Sequence, residues 1–381
     1  MSIVAAPHSP WVEVLRAAAT GHDLPDLSVE AWDQVLDALA PHDVAPFLYS
    51  RVRSTAQWAG LPPSVQANWR QAFQTHSVRS YLMENELCQI AAALHAADVP
   101  VVLLKGAALG RLVYGSPAER PVNDLDLLVP AAAVDAARDA LVARAYRPQG
   151  LFWLGRWQRR YRAELPMVCQ AADRRRLLVE LHWSLLELPY YIERIPMRDV
   201  WQSALPAPGV PGALVPDGAT LLLHGCAHQM MHHSQDRRLL WLLDVDRLVR
   251  TTSLAWDQVL ERGRRWGLLV TLRLMLEEAV NLLQTPVPAA VLTGLIGQPM
   301  EHIERVMWGI GDERPGRAWR RIQTTLAAFD GPQRLSYLGW LALRGISWVP
   351  ETMQRSAHLS STPAAVAADR GGNRVPGQAG S

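Results

Sequence analysis

Hydrophobic residues recur at helical spacing towards both ends of the chain. A long amphipathic run over Pro63–Ala97 begins with a proline pair, which is typical of a helix start. The same spacing returns in Leu221–Met231 and Leu239–Val249. The pattern predicts an N-terminal helical region over 1–97 and a C-terminal helical domain over 191–355.

The pattern changes over the middle of the chain. Val99–Leu104 is a short apolar run that ends at a glycine, and Asp124–Val129 is a second run stopped by proline, so both are predicted strands. Arg162–Gln170 and Leu177–Ser184 flank a polar turn, as in a β-hairpin. We therefore expect an α+β fold in which residues 98–190 form a small mixed sheet with helices, flanked by helical regions on both sides.

Composition narrows the class of protein. The net charge of +2 lacks the basic excess of a nucleic-acid-binding protein, so nucleic acid is not an expected partner. Cys88, Cys169 and Cys226 lie far apart without a CxxC pair, which favours a reducing, cytoplasmic location. No apolar stretch is long enough to predict a membrane span. Residues 356–381 are rich in Ala, Gly, Ser and Pro and are predicted to form a disordered tail.

An Asp-Leu-Asp motif opens the second predicted strand. Because side chains alternate along a strand, Asp124 and Asp126 are expected on the same face. Adjacent carboxylates repel each other unless a cation neutralises them, and Mg²⁺ is typically held by one or two carboxylates together with substrate phosphates. The motif predicts a metal site for phosphoryl or nucleotidyl transfer. A solvated strand end is the alternative interpretation of the tripeptide alone.

The first predicted strand ends in a turn suited to a phosphate. Lys105, Gly106 and Ala107 lead from this strand into a short helix, and backbone N–H groups at a helix N-terminus bind phosphate. Lys105 adds a positive charge for a triphosphate. Arg120 is a second cationic candidate, either beside the phosphates or bracing the carboxylates. A plain tight turn and a surface ion pair are the alternatives.

A further acidic residue lies on the second strand of the predicted hairpin. Glu180 and His182 alternate with Val179 and Leu181 and so share a face. A third carboxylate from a neighbouring strand would complete a two-metal clamp for in-line attack on an α-phosphate. We expect His182 to line the same cleft. A surface glutamate on a half-exposed strand is the alternative.

Three histidines are spaced four residues apart in the C-terminal helical region. His224, His228 and His232 therefore lie along one helical face, where imidazoles can bind zinc. No HExxH motif accompanies them, so we expect packing, or lining of the nucleotide cleft by His228 and His232. Asp244 and Asp246 form a second Asp-x-Asp motif, but helical spacing separates their side chains, which argues against metal binding.

In their order, these motifs resemble the uncharacterised bacterial nucleotidyltransferase family of the DNA polymerase β-like superfamily. The similarity rests on LLKGAAL, YGSPAERPVNDLDLLV and VELHWSL, and continues to the spaced histidines and the Trp-Leu-Leu-Asp sequence of residues 241–244. It covers roughly residues 32–350, with specific motifs only between Leu103 and Asp244. In the superfamily the first turn is usually Gly-Gly or Gly-Ser, and here Ala107 occupies the second position.

The resemblance implies a polymerase β-type core that transfers a nucleoside monophosphate from an NTP to an acceptor hydroxyl or phosphate. It implies a two-Mg²⁺ site formed by Asp124, Asp126 and Glu180, with the nucleotide held by Lys105–Ala107 and Arg120. The acceptor is an unidentified small molecule, peptide or protein, and family members resemble helpers of peptide and polysaccharide biosynthesis. The alternative function is a catalytically inactive, nucleotide-binding regulatory or scaffold protein.

Overall fold

Seven short strands form one mixed sheet in the first of two structural units. The computed structural model describes residues 9–149, 161–170, 176–233, 238–308 and 335–339. The units are Met1–Asp330 and Gly331–Ser381. In the second unit, residues 335–339 are helical. All elements named below belong to the first unit.

The two central strands of the sheet carry the predicted turn and the Asp-Leu-Asp motif. The strands are β1 (Val101–Leu103), β2 (Leu125–Leu128), β3 (Arg147–Pro148), β4 (Glu164–Gln170), β5 (Arg176–His182), β6 (Leu205–Pro206) and β7 (Ala213–Val215). They lie in the order β3-β4-β5-β2-β1-β7-β6. β2 is antiparallel to β1 and parallel to β5, and β7 is parallel to β1. The other neighbours are antiparallel. β1 and β2 are buried along their whole length, which explains their nearly continuous apolar sequences.

Four helices precede the sheet. They are α1 (Pro10–Thr20), α2 (Val29–Leu39), α3 (Ala45–Val52) and α4 (Pro63–Ala96). The Ser28 side chain accepts a hydrogen bond from the Ala31 N–H and so caps α2. α4 begins with Pro63, which lacks a backbone N–H, at a position where an N–H would have no acceptor within the helix. The helix buries Leu87, Ile90 and Leu94.

The remaining helices lie within the sheet region and after it. They are α5 (Lys105–Leu112), α6 (Val134–Ala143), α7 (Pro189–Arg194), α8 (Met197–Gln202), α9 (Gly218–His233), α10 (Leu239–Thr251), α11 (Trp256–Trp266), α12 (Leu269–Leu283), α13 (Ala289–Leu295) and α14 (His302–Trp308). α9, α10 and α12 pack against one another, and α1 packs against α12. The Arg16 Nε atom donates to the Leu282 carbonyl over 3.0 Å, which ties the N-terminal helices to the C-terminal ones.

The predicted α+β class is confirmed: a mixed sheet with many helices. One feature was not predicted. β6 and β7 follow residue 190 and lie in the segment assigned to the C-terminal helical domain, yet β7 extends the sheet beside β1. The predicted tail over 356–381 lies outside the described residues, and the division into four domains stays a prediction. Within the described ranges, no helix combines the length and apolar character needed to cross a membrane.

Candidate active site

Three adjacent strands place four polar side chains on one face of the sheet. Asp126 in β2 lies directly opposite Glu180 in the parallel strand β5. Two residues further along β5, His182 lies opposite Glu164 in β4. Side chains of directly paired residues, and of residues two apart on one strand, share a face. We call Asp126, Glu164, Glu180 and His182 the acidic cluster.

Lys105 enters the acidic cluster from the turn after β1. Its Nζ atom lies 2.7 Å from Asp126 Oδ1 and 3.7 Å from Glu180 Oε2. The Lys105 backbone has φ 44°, in the left-handed region that side-chain-bearing residues rarely adopt. Backbone strain of this kind costs on the order of 1–3 kcal/mol and persists only where the surroundings hold it. The ion pair with Asp126 is one such restraint, and the Leu104 N–H hydrogen bond to the Asp126 carbonyl is another.

His182 also contacts the carboxylates of the acidic cluster. Its Nε2 atom lies 3.0 Å from Asp126 Oδ1 and 3.7 Å from Glu180 Oε2. Burial lowers the pKa of His182, but hydrogen bonds to Asp126 and Glu180 outweigh burial and raise it to about 10. The ring is only 2% exposed and lies among the carboxylates. Its predicted role in lining a cleft stays a prediction.

The carboxyl groups differ in their affinity for protons. Burial would raise the pKa of Asp126, but the charges of Lys105 and His182 hold it well below its usual range. Burial, with the negative charges of Asp126 and Glu180, raises the pKa of Asp124 to about 7. The surroundings therefore favour the ionised form of Asp126, whereas burial and neighbouring negative charge favour the protonated form of Asp124.

Glu164 was not predicted from the sequence. Burial, followed by the charges of Glu187 and Glu180, raises its pKa to about 8. Its Oε2 atom and His182 Nδ1 are buried, lie 3.8 Å apart and make no hydrogen bond within the described part of the chain. The sequence signal was available, because the predicted hairpin brings residue 164 close to residue 182.

The donor atoms of the acidic cluster fit a divalent cation. One ligand atom each from Asp126, Glu180 and His182 lies within 4.8 Å of the other two. Carboxylate oxygens are the ligands that Mg²⁺ prefers, and the raised pKa values of Asp124 and Glu164 mark negative charge that a cation would relieve. Asp124 itself precedes β2 and is partly buried, and its role as a ligand stays a prediction.

Arg120 lies against the first turn and pairs with an acid from the C-terminal helices. Its Nε and Nη2 atoms donate to Asp244 in α10 over 2.8 and 2.7 Å, and its Nη1 atom donates to the Pro121 carbonyl. The Tyr114 hydroxyl donates to the same carboxylate over 2.7 Å. This ion pair with Asp244 was not predicted, and bracing of the Asp124 and Asp126 carboxylates by Arg120 stays a prediction. Contact with the nucleotide stays a prediction.

The Arg120 guanidinium lies directly against the backbone of Gly106 in the turn. A Cβ atom on residue 106 would lie 2.5 Å from Arg120 Nη1 and 3.0 Å from Val122 Cγ2. Because Asp244 holds the guanidinium at two nitrogen atoms, Arg120 is not free to move aside. The glycine of the Lys-Gly pair is therefore required by the close approach of a buried ion pair.

We expect Gly106→Ala to lower the free energy of unfolding by about 1–3 kcal/mol, the usual cost of overpacking a buried site. Urea denaturation followed by circular dichroism measures the change. Gly225→Ala is the matched control, because nothing lies within 4 Å of its added methyl group in α9, and alanine favours a helix by about 0.5–1 kcal/mol. Equal stability of the two variants would show that Arg120 yields without cost.

Ala107 presents only its backbone to the turn. Its methyl group is buried, with the residue 4% exposed, and its carbonyl accepts a hydrogen bond from Arg111 Nη1. The first N–H groups of a helix have no acceptor within the helix. Binding of phosphate by the N–H groups of Lys105, Gly106 and Ala107 at the start of α5 stays a prediction.

The histidine face of α9 lies outside the acidic cluster. The His228 ring packs edge-on against Trp241 at 5.9 Å and lies 6.5 Å from the His224 ring. His232 also belongs to α9, whose backbone alone is described at that position. Lining of a cleft by these histidines stays a prediction. Asp244 and Asp246 do lie in a helix, where Asp246 accepts hydrogen bonds from Arg250 and Thr285.

A mixed sheet that carries a glycine turn and paired acidic residues is typical of a nucleotidyltransferase. Residues 28–284 match the family described as "Uncharacterised nucleotidyltransferase", and because this match spans most of the chain, the protein belongs to that family. The structure of the antibiotic-resistance factor ANT(2'')-Ia is similar at 15% identity and a TM-score of 0.33, over 49% of this chain and 93% of that one. No curated protein matches the chain.

Proposed function

We propose that this protein is a Mg²⁺-dependent nucleotidyltransferase with a polymerase β-type core. It moves a nucleoside monophosphate from an NTP to a hydroxyl or phosphate group of an acceptor. The observation that supports this most strongly is the sheet-borne set of Asp126, Glu180 and His182 in a chain of a nucleotidyltransferase family.

Asp124, Asp126 and Glu180 would hold the metal. When bound, Mg²⁺ supplies positive charge to the triphosphate and lowers the pKa of an acceptor hydroxyl. Asp126 is suited to this role because Lys105 and His182 keep its carboxylate ionised despite complete burial. Glu180 lies directly across the sheet from it and is partly exposed, with 18% of its side chain accessible.

The turn at Lys105–Ala107 would bind the triphosphate through the backbone N–H groups of the first turn of α5. Arg120 would hold this turn in place, because its guanidinium lies against Gly106 and pairs with Asp244 in α10. Together these contacts orient the α-phosphate towards the acidic cluster.

In the reaction, an acceptor oxygen attacks the α-phosphorus and forms a new P–O bond. The bond between the α-phosphorus and the oxygen that bridges to the β-phosphate breaks, and pyrophosphate leaves with that electron pair. The acceptor proton passes to solvent, which reaches the acidic cluster at the partly exposed Glu180.

The test is transfer of label from α-³²P-labelled ATP, GTP, CTP and UTP in Mg²⁺, with small-molecule, peptide and protein fractions as acceptors. We expect label to appear in one acceptor class together with an equal amount of pyrophosphate. Binding of nucleotide without transfer to any acceptor would contradict the proposal and favour a regulatory or scaffold protein. The regulatory or scaffold function is the second candidate. The observation that favours it is the pairing of Lys105 and His182 with the carboxylates.

A further inference from the structure

Lys105 is the only lysine among the 38 lysine and arginine residues of the chain. Arginine has a broad planar group that forms paired hydrogen bonds, whereas lysine carries a compact point charge on a slender stem. A chain that uses arginine at every other basic position has a lysine where its charge lies between carboxylates. The position therefore calls for a small cation rather than for positive charge in general.

The Lys105 ammonium lies where a cation shared by two carboxylates would lie. Nζ is within hydrogen-bond distance of Asp126 Oδ1 and within ion-pair distance of Glu180 Oε2. The left-handed backbone at φ 44° adds conformational strain at this residue.

The two carboxylates that Lys105 joins are the pair that would otherwise share an ion. Asp126 and Glu180 lie directly opposite each other on the parallel strands β2 and β5, and Lys105 Nζ lies 2.7 Å and 3.7 Å from an oxygen of each. A divalent cation between the same two oxygens would bring positive charge against the ammonium group in a largely buried site, which is costly.

We propose that the Lys105 ammonium takes the place of one of the two metal ions expected of such a site, so that the protein binds a single divalent cation. This inference rests on the proposed function, because it assigns the cations of that same site. Asp124 and Asp126 would hold the single ion, while Lys105 bridges Asp126 and Glu180.

The first test counts bound Mn²⁺ per chain by electron paramagnetic resonance, with Mn²⁺ alone as the probe. We expect one ion for the wild type and two for Lys105→Met, which keeps an unbranched side chain but lacks the terminal ammonium group and its charge. Arg111→Met is the matched control, because Arg111 is a cation on the same helix that pairs with Glu84 outside the acidic cluster. It should bind one ion. Two ions in the wild type, or no gain in a folded Lys105→Met, would overturn the proposal.

The second test needs no variant. Protein labelled with ¹⁵N at the lysine ε-position has one ε-ammonium signal, since Lys105 is the only lysine. We expect this signal to be protected from solvent exchange and to persist at saturating Mg²⁺. Its loss on addition of Mg²⁺ would show that metal displaces Lys105 and would refute the proposal. Neither experiment measures nucleotidyl transfer. A protein that binds one ion but transfers no nucleotide would therefore contradict the proposed function and not the assignment of Lys105.

Discussion

Asp126→Asn is expected to lower the rate of nucleotidyl transfer by at least about 10³-fold, which corresponds to about 4 kcal/mol of transition-state stabilisation. Asp126 is the residue on which the cluster converges, because Lys105, His182 and the paired Glu180 all approach its carboxylate. The substitution keeps the shape of the side chain and removes the charge that a metal needs. The measurement is transfer of labelled nucleotide per folded chain.

Asp246→Asn is the matched control for that experiment. Asp246 is also a buried aspartate of an Asp-x-Asp sequence, but it accepts hydrogen bonds from Arg250 and Thr285 and lies in α10. Its loss should lower stability and leave the rate of transfer per folded chain unchanged. An Asp126→Asn variant that transfers nucleotide as fast as the Asp246→Asn variant would remove Asp126 from the proposed mechanism.

Alternation along single strands predicted much of the acidic cluster. It placed Glu180 and His182 on one face, as the structure shows, and the order of motifs indicated that Asp126 and Glu180 belong to one site. What alternation cannot provide is the pairing between strands. That Asp126 lies opposite Glu180 follows from β2 and β5 being parallel neighbours, although more than fifty residues separate them in the chain.

Glu164 and Lys105 show two further reasons why prediction was incomplete. The hairpin of β4 and β5 was predicted, but its register decides that Glu164 faces His182, and the register depends on packing on both faces. Lys105 was expected to bind phosphate from the turn. Its side chain also reaches the carboxylates, from a left-handed backbone that no local sequence pattern predicts, and its contact with phosphate stays a prediction.

β6 and β7 were missed because of their length. They contain two and three residues and lie among prolines and glycines, which are typical of loops. Pairing with neighbouring strands makes them strands: β7 pairs with the edge of β1, and β6 pairs with β7.

Arg120→Met is expected to lower the free energy of unfolding by about 3–5 kcal/mol, the usual cost of leaving one partner of a buried ion pair without the other. Arg120 and Asp244 are 6% and 5% exposed, and two hydrogen bonds join them across 124 positions of sequence. Removal of the guanidinium leaves a buried carboxylate whose remaining donor is the Tyr114 hydroxyl. Urea denaturation of the wild type and the variant measures the loss.

Two further variants separate the ion pair from general packing. Arg138→Met removes a partly exposed arginine that pairs with Asp135, and the loss should stay below about 1 kcal/mol because solvent screens such pairs. Arg120→Met combined with Asp244→Asn should cost less than the sum of the two single substitutions, since asparagine carries no charge and still accepts from Tyr114. Additive costs would mean that Arg120 stabilises the turn through its contact with Gly106, so that α10 contributes little to the geometry of the candidate active site.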